Sequence, residues 1–396
     1  MKVGLYLTMQ SKKALLLISA LSLLILLLSQ CVDNGIASAD PRGPAFAGSD
    51  QCKKCHQPVY DNYAHSAHYN TTQPANAKNV QGSLDAPNNR LAFNDSTYVQ
   101  VQQRDSGLFQ FAYVNGKETE GHRMDILFGV KHAQTFLYWN GDRTFEHPVS
   151  YYTKEKLWGT SPGFSAEHIN FKRFIGANCF ECHSSYIGSQ LNASTAGIEE
   201  VLRKNTLVYG IDCERCHGPA IDHVNFHNSN PDSKEAKHIV RMASLSRQQK
   251  LDVCAMCHSG NNKMSEKSTF RFRPGDTLAN FFVVWPTGDT NTKFDVHGNQ
   301  YQLMSQSKCF IKSNMDCGTC HNAHTDASPD QRKYVSACQG CHKGVTHRFA
   351  PAAELQDKCV NCHMPYQPSK AITFQLAGSG EKAAYQLRTH KIAVYK

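Results

Sequence analysis

The stretch Gly210-Ile211-Asp212-Cys213-Glu214-Arg215-Cys216-His217-Gly218-Pro219 sets two cysteines three positions apart and a histidine directly behind the second. On one turn of helix that spacing puts both thiols on the same face and an imidazole just beyond them. The pattern occurs at six further places: Cys52/Cys55/His56, Cys179/Cys182/His183, Cys254/Cys257/His258, Cys317/Cys320/His321, Cys338/Cys341/His342 and Cys359/Cys362/His363. It uses fourteen of the 16 cysteines of a 396-residue chain.

Two thiols and an imidazole so arranged match one porphyrin, with thioethers to its two vinyl groups and the histidine on its iron. Seven covalently bound haem c groups are therefore expected. Paired Cys-x-x-Cys units also hold zinc, but zinc does not demand histidine after every second cysteine. A thioredoxin-like redox pair needs a βαβ context that the flanking sequence lacks.

Six motifs fall between Cys179 and His363, and the last three begin at Cys317, Cys338 and Cys359, an even step of 21 residues. So little polypeptide per motif cannot bury independent cores, so the cofactors must supply much of the apolar interior. Short connections and helical runs such as Arg247 to Met256 join them. More than a hundred cysteine-free residues separate the first two motifs. Within them Thr97 to Gln102 and Leu108 to Val114 alternate in polarity around the turn Arg104-Asp105-Ser106-Gly107, and Asn115-Gly116 and Asn140-Gly141-Asp142 read as further turns. The expected fold is a mostly irregular and α-helical multihaem arrangement packed around seven haems, with a small antiparallel β insertion. Its segments are an export signal (1–30), a flexible tether (31–48), a first haem segment (49–84), a β-rich module (85–165), a six-haem core (166–370) and a tail (371–396).

Lys2, Lys12 and Lys13 precede an apolar run from Ala14 to Leu28, the pattern of an export signal. It ends in Leu28-Ser29-Gln30-Cys31, which resembles a bacterial lipobox and makes Cys31 a candidate lipidated residue, with Gln30 departing from the usual small residue. Cleavage near Ala37 to Ala39, or an uncleaved anchor, is the competing reading. The formal charge of +9 falls to +6 without the three leader lysines. Haem propionates would carry it to roughly −1 oxidised and −8 reduced, which removes any case for nucleic acid.

Thirteen of the 20 histidines lie outside the motifs, enough for a second imidazole on every iron. Cys52 to His68, ending His65-Ser66-Ala67-His68, resembles the opening of the cytochrome c-552/c-554 type multihaem family. So do Gly210 to Pro219 with His223, Cys317 to His321 with His324, and Cys359 to Pro365 with Arg388-Thr389-His390-Lys391-Ile392. The resemblance implies that His68, His223, His324 and His390 are distal ligands, usually to a haem distant in sequence. His347 and His168 are the next candidates. His132 sits between apparent strands, and His65, His122, His147, His227, His238 and His297 carry weaker signals.

Cys309 is either an axial or redox-active thiolate near the Cys317 haem or a buried inert thiol. Met304 and Met364 are either iron ligands or packing residues. Arg173, Arg215 and Arg271 are candidates for haem propionates. No residue is assigned a catalytic role.

The expected function is electron transfer through a chain of mostly bis-histidine haems, in the periplasm or at the cell surface. The protein would be held to the membrane by lipid and serve redox partners in a bacterial envelope. The alternative is a reductase or other oxidoreductase of a small nitrogen or sulfur compound with one open haem. No Cys-x-x-Cys-Lys variant announces a lysine-ligated active haem.

Overall fold

The computed structural model describes residues 39–195, 197–260, 266–283, 292–348, 352–355, 357–376 and 382–395. The expected export signal and the candidate lipidated Cys31 lie outside them. No described helix is long and apolar enough to cross a membrane.

A four-stranded meander runs through Arg90–Ala92, Thr97–Arg104, Gly107–Val114 and Lys117–Arg123. Arg104 pairs with Gly107 across a two-residue turn. Asn115 and Gly116 both take positive φ, 51° and 74°, the backbone of a tight hairpin whose twist matches that of its strands. A seven-stranded sheet lies beside it, with strands Thr72–Pro74, Ile126–Phe128, Ala133–Asn140, Arg143–Glu146 and Arg173–Ile175 in line and Val149–Tyr152 and Leu157–Thr160 branching from it. Alternating inward residues, among them Val99, Val101, Leu108, Phe136, Trp158 and Phe171, form the shared core. The sheet therefore draws strands from both sides of 85–165.

The expectation of a mostly irregular and helical fold with one small β insertion is corrected by the antiparallel sheets beyond that insertion. Ser184–Ser194 pairs with Gly197–Tyr209 directly after the second motif, and Tyr366–Phe374 pairs with Ala383–Arg388 after the last. The first of these hairpins has a sequence without a strand period. Its residues Leu191 and Ile198 are 69% and 74% exposed, so it shows no clean inward face from which a strand period could be read. The second earns its place by tertiary contact. Phe374 stacks on Tyr152 with ring centres 3.7 Å apart, and Thr160 donates to the Gln375 carbonyl oxygen at 3.0 Å.

The helices are short and belong mainly to the motifs. Arg247–His258 is the longest described, with a reciprocal cap between Ser246 and Gln249, and it buries Leu251, Val253 and Met256 against Phe272, Phe282 and Phe310.

Residues 39–48, inside the expected tether, pack on the third motif. The Arg42 guanidinium meets Asp40 at 2.8 Å, Asp212 at 2.7 Å and Glu214 at 2.9 Å, all with side chains at least nine-tenths buried. Glu214 also accepts from the backbone of Ala47, Gly48 and Ala220, so its carboxylate is fully engaged.

Candidate functional site

Each motif sits on a short helical turn. Cys213–His217 and Cys359–His363 are complete small helices. Ser49–Cys55, Ala177–His183, Arg247–His258 and Arg332–Cys341 carry their motifs at the C-terminal end. The turn Cys317–Thr319 is capped by Asp316, and Asp212 caps its helix by accepting from the Arg215 amide at 3.1 Å. The i, i+3 thiols thus share one face, as the spacing requires.

All seven motifs line one continuous cavity of about 4330 Å³. A pocket for a single small ligand holds only ~300–1,000 Å³, so the space fits several large cofactors. The described cysteines are free of disulfides. Burial raises the thiols of Cys179, Cys216 and Cys338 to about 11, with Glu146 adding to it at Cys179, Asp212 at Cys216 and neighbouring thiols at all three. The Cys52 thiol neighbours that of Cys213, and the Cys254 thiol that of Cys317.

Three of the cavity histidines have their tautomer fixed by a carbonyl partner. Nδ1 of His217 donates to the Val240 carbonyl oxygen at 2.9 Å, Nδ1 of His363 to that of Ala393 at 2.8 Å, and Nδ1 of His223 to that of Lys237 at 2.7 Å. A carbonyl only accepts, so Nδ1 holds the proton and Nε2 keeps its lone pair for a metal. His258 Nδ1 faces Gln300 Oε1 at 3.2 Å, and His183 Nδ1 faces Thr71 Oγ1 at 3.3 Å. The residues present fit haem.

Five imidazole pairs face each other across the cavity. Ring centres are 6.4 Å apart for His56 and His223, 6.0 Å for His217 and His324, 6.1 Å for His68 and His258, 6.3 Å for His321 and His390, and 6.3 Å for His347 and His363. With metal–nitrogen bonds of about 2 Å and each ring centre about 1.1 Å behind its nitrogen, two imidazoles on one ion stand roughly 6 Å apart. The five distances match that span. His68 is open to the cavity yet walled by protein, and this burial lowers its pKa; burial likewise takes His390 down to about 4.

His183 is half-buried at the cavity wall and stacked on Phe128 at 4.6 Å, and its pKa falls to about 4 through desolvation and then through the charge of His297. His297 lines the cavity, and its Nδ1 is buried without a hydrogen-bond partner. In the sequence His297 carries only a weak signal, because Val296-His297-Gly298 holds no local motif.

The remaining candidates fall elsewhere. His168 is exposed and does not line the cavity. His132 lines it and faces Tyr385 Oη at 3.1 Å. Arg173 is held by Glu146, with Nε donating at 2.7 Å, and Arg215 donates to the Thr269 and Glu181 carbonyl oxygens. Arg271 is exposed. Cys309, Met304 and Met364 line the cavity. Cys309 lies near both Cys320 and Cys338.

A family model described as cytochrome c554 and c-prime matches residues 132–218, which hold the second and third motifs. The multiheme cytochrome MtrA of Shewanella baltica (strain OS185) is 27% identical over 146 residues, covering 34% of this chain and 42% of that one. The matched region thus spans under half the length of that relative. Among solved structures, the outer cell wall cytochrome OcwA is similar with a TM-score of 0.50 at 14% identity, over 88% of this chain and 79% of that one. At that identity the likeness is one of fold.

Proposed function

The chain is a multihaem c-type cytochrome with covalently bound haem, and from that premise we propose that it is a seven-haem electron relay whose irons are mostly held between two histidines. The observation that carries the reading is the set of five imidazole pairs at 6.0–6.4 Å in one cavity. His56, His183, His217, His258, His321, His342 and His363 are the proximal ligands. Opposite them stand His223 for His56, His297 for His183, His324 for His217, His68 for His258, His390 for His321 and His347 for His363. Bound haem supplies a one-electron redox couple at each iron, and two strong imidazole ligands keep such an iron six-coordinate and low-spin.

The thiols suggest the route. Cys52 with Cys213 and Cys254 with Cys317 set the first motif against the third and the fourth against the fifth. Cys338 lies near Cys320 and Cys359, which continues the series through the last three motifs. Cys257 Sγ reaches the Glu181 carbonyl oxygen at 3.7 Å, which brings the second motif alongside the fourth. The chain's contribution is to hold successive cofactors close and to fix each proximal imidazole through its Nδ1.

The leader pattern and lipobox-like Cys31 support an exported protein in the periplasm or at the outer surface, tethered by lipid and exchanging electrons with envelope redox proteins. The test is a haem count by pyridine haemochrome with electron paramagnetic resonance of the oxidised protein. Seven haems, at least six of them low-spin, are expected; fewer haems, or several high-spin irons, would refute the relay.

A further inference from the structure

We propose that the haem bound through Cys338, Cys341 and His342 has no histidine on its distal face and is the iron that takes a small inorganic ligand, an anion such as nitrite or cyanide. The inference rests on the relay reading, because it uses the same histidine pairs.

All 20 histidines lie among the described residues. Seven belong to the motifs and six are the partners assigned above. The others are engaged away from His342 or stand apart from it. His147 is fully buried in the β core, and His122 stacks on Tyr138 at 4.0 Å. His132 is held by Tyr385. His227 Nε2 meets the Glu235 carbonyl oxygen at 3.1 Å, and His238 packs edge-on to Phe226 at 5.9 Å. His65 and His168 are exposed at the end of the helix Gln57–Ala64 and beside the β module. Among the described residues no imidazole packs against His342.

The place suits a ligand site. Cys338 and Cys341 close the C-terminal turn of Arg332–Cys341, and Cys341, His342 and the Lys343-Gly344 turn behind them are exposed where they line the cavity. Cys338 has Cys320 and Cys359 as neighbours, so this haem lies in the proposed electron route. Lys343 and Lys358 are exposed where they line the cavity and form no ion pair among the described residues. Free cationic side chains at the mouth of a cleft raise the local concentration of anions.

The experiment uses the full-length holoprotein. Electron paramagnetic resonance and magnetic circular dichroism should find one high-spin haem in seven, and one equivalent of cyanide should convert it to low-spin. The C338A/C341A double variant should lose one-seventh of the haem absorbance, the high-spin signal and the cyanide response together. Should that variant fail to mature, H347A provides the second measurement, with the high-spin count rising from one to two as the His363 iron opens. Seven low-spin haems in the native protein would overturn the proposal and leave the relay standing, a lysine or methionine then closing the site. A high-spin signal that survives C338A/C341A, or a count that stays at one in H347A, would place the open iron elsewhere and overturn it too. Failure of the relay reading shows separately, as two or more high-spin haems in the native protein.

Discussion

The imidazoles of His217 and His324 stand 6.0 Å apart and within 5° of parallel, though they come from different motif segments. His217 is oriented by the Val240 carbonyl and His324 comes from the turn after the fifth motif. Their alignment ties the third haem segment to the fifth, as a shared metal ion would demand.

Replacing His324 with alanine removes one side of that pair. One haem should pass from low-spin to high-spin and bind cyanide, while the haemochrome content stays unchanged. Counting low-spin signals by electron paramagnetic resonance checks this. An unaltered spectrum would sever the assignment.

Arg42→Ala should release residues 39–48 from the body. The substitution leaves Asp40, Asp212 and Glu214 buried together without their cation. Loss of one partner from a buried charge cluster costs about 3–5 kcal/mol. Denaturant unfolding should show that loss, and limited proteolysis should cut before the first motif earlier than in the native protein.

Gly210→Ala tests close backbone approach. Gly210 has φ +62°, and a Cβ there would collide with the Tyr69 carbonyl oxygen, whereas Gly141 has the same φ and open space. Gly141→Ala should cost only the backbone term, on the order of 1 kcal/mol. Gly210→Ala should cost several times more, and it should also disturb spin state, since Ile211 donates to the carbonyl oxygen of His68. Equal unfolding midpoints for the two variants would contradict the steric argument.

The β core should weaken in acid through His147. Burial takes its pKa from 6.5 down to about 3, with the charge of His122 adding slightly and a bond to the Arg123 carbonyl opposing. The folded state therefore resists a proton that the unfolded chain accepts. This contribution to stability is complete above pH 6.5 and is lost as pH falls from there toward 3, by up to about 1.4 kcal/mol per unit. His147→Leu should flatten that part of the stability profile in urea titrations from pH 7 to 4. Parallel profiles for the two proteins would count against it.

The motif helices were readable because everything they need is local. Two thiols and an imidazole within five residues of helix define one porphyrin face, and the structure adds only the caps and Nδ1 partners that steady them. The meander was readable for a similar reason, since Thr97–Arg104 and Gly107–Val114 alternate with one face buried and meet at short turns. The hairpin Ser184–Tyr209 was not, because exposed strands such as those of Leu191 and Ile198 have no inward period to display.

The sequence alone determined the seven Cys-x-x-Cys-His motifs, fourteen cysteines with each pair followed by a histidine, because a covalent haem site is written in i, i+3, i+4 spacing. Tertiary structure alone decided which histidines face one another. Nothing near Val296-His297-Gly298 sets that histidine beside His183, and nothing near His168 sends it to the surface. A second imidazole is brought to a site by the folding of distant segments, so its spacing along the chain carries no geometric constraint to read.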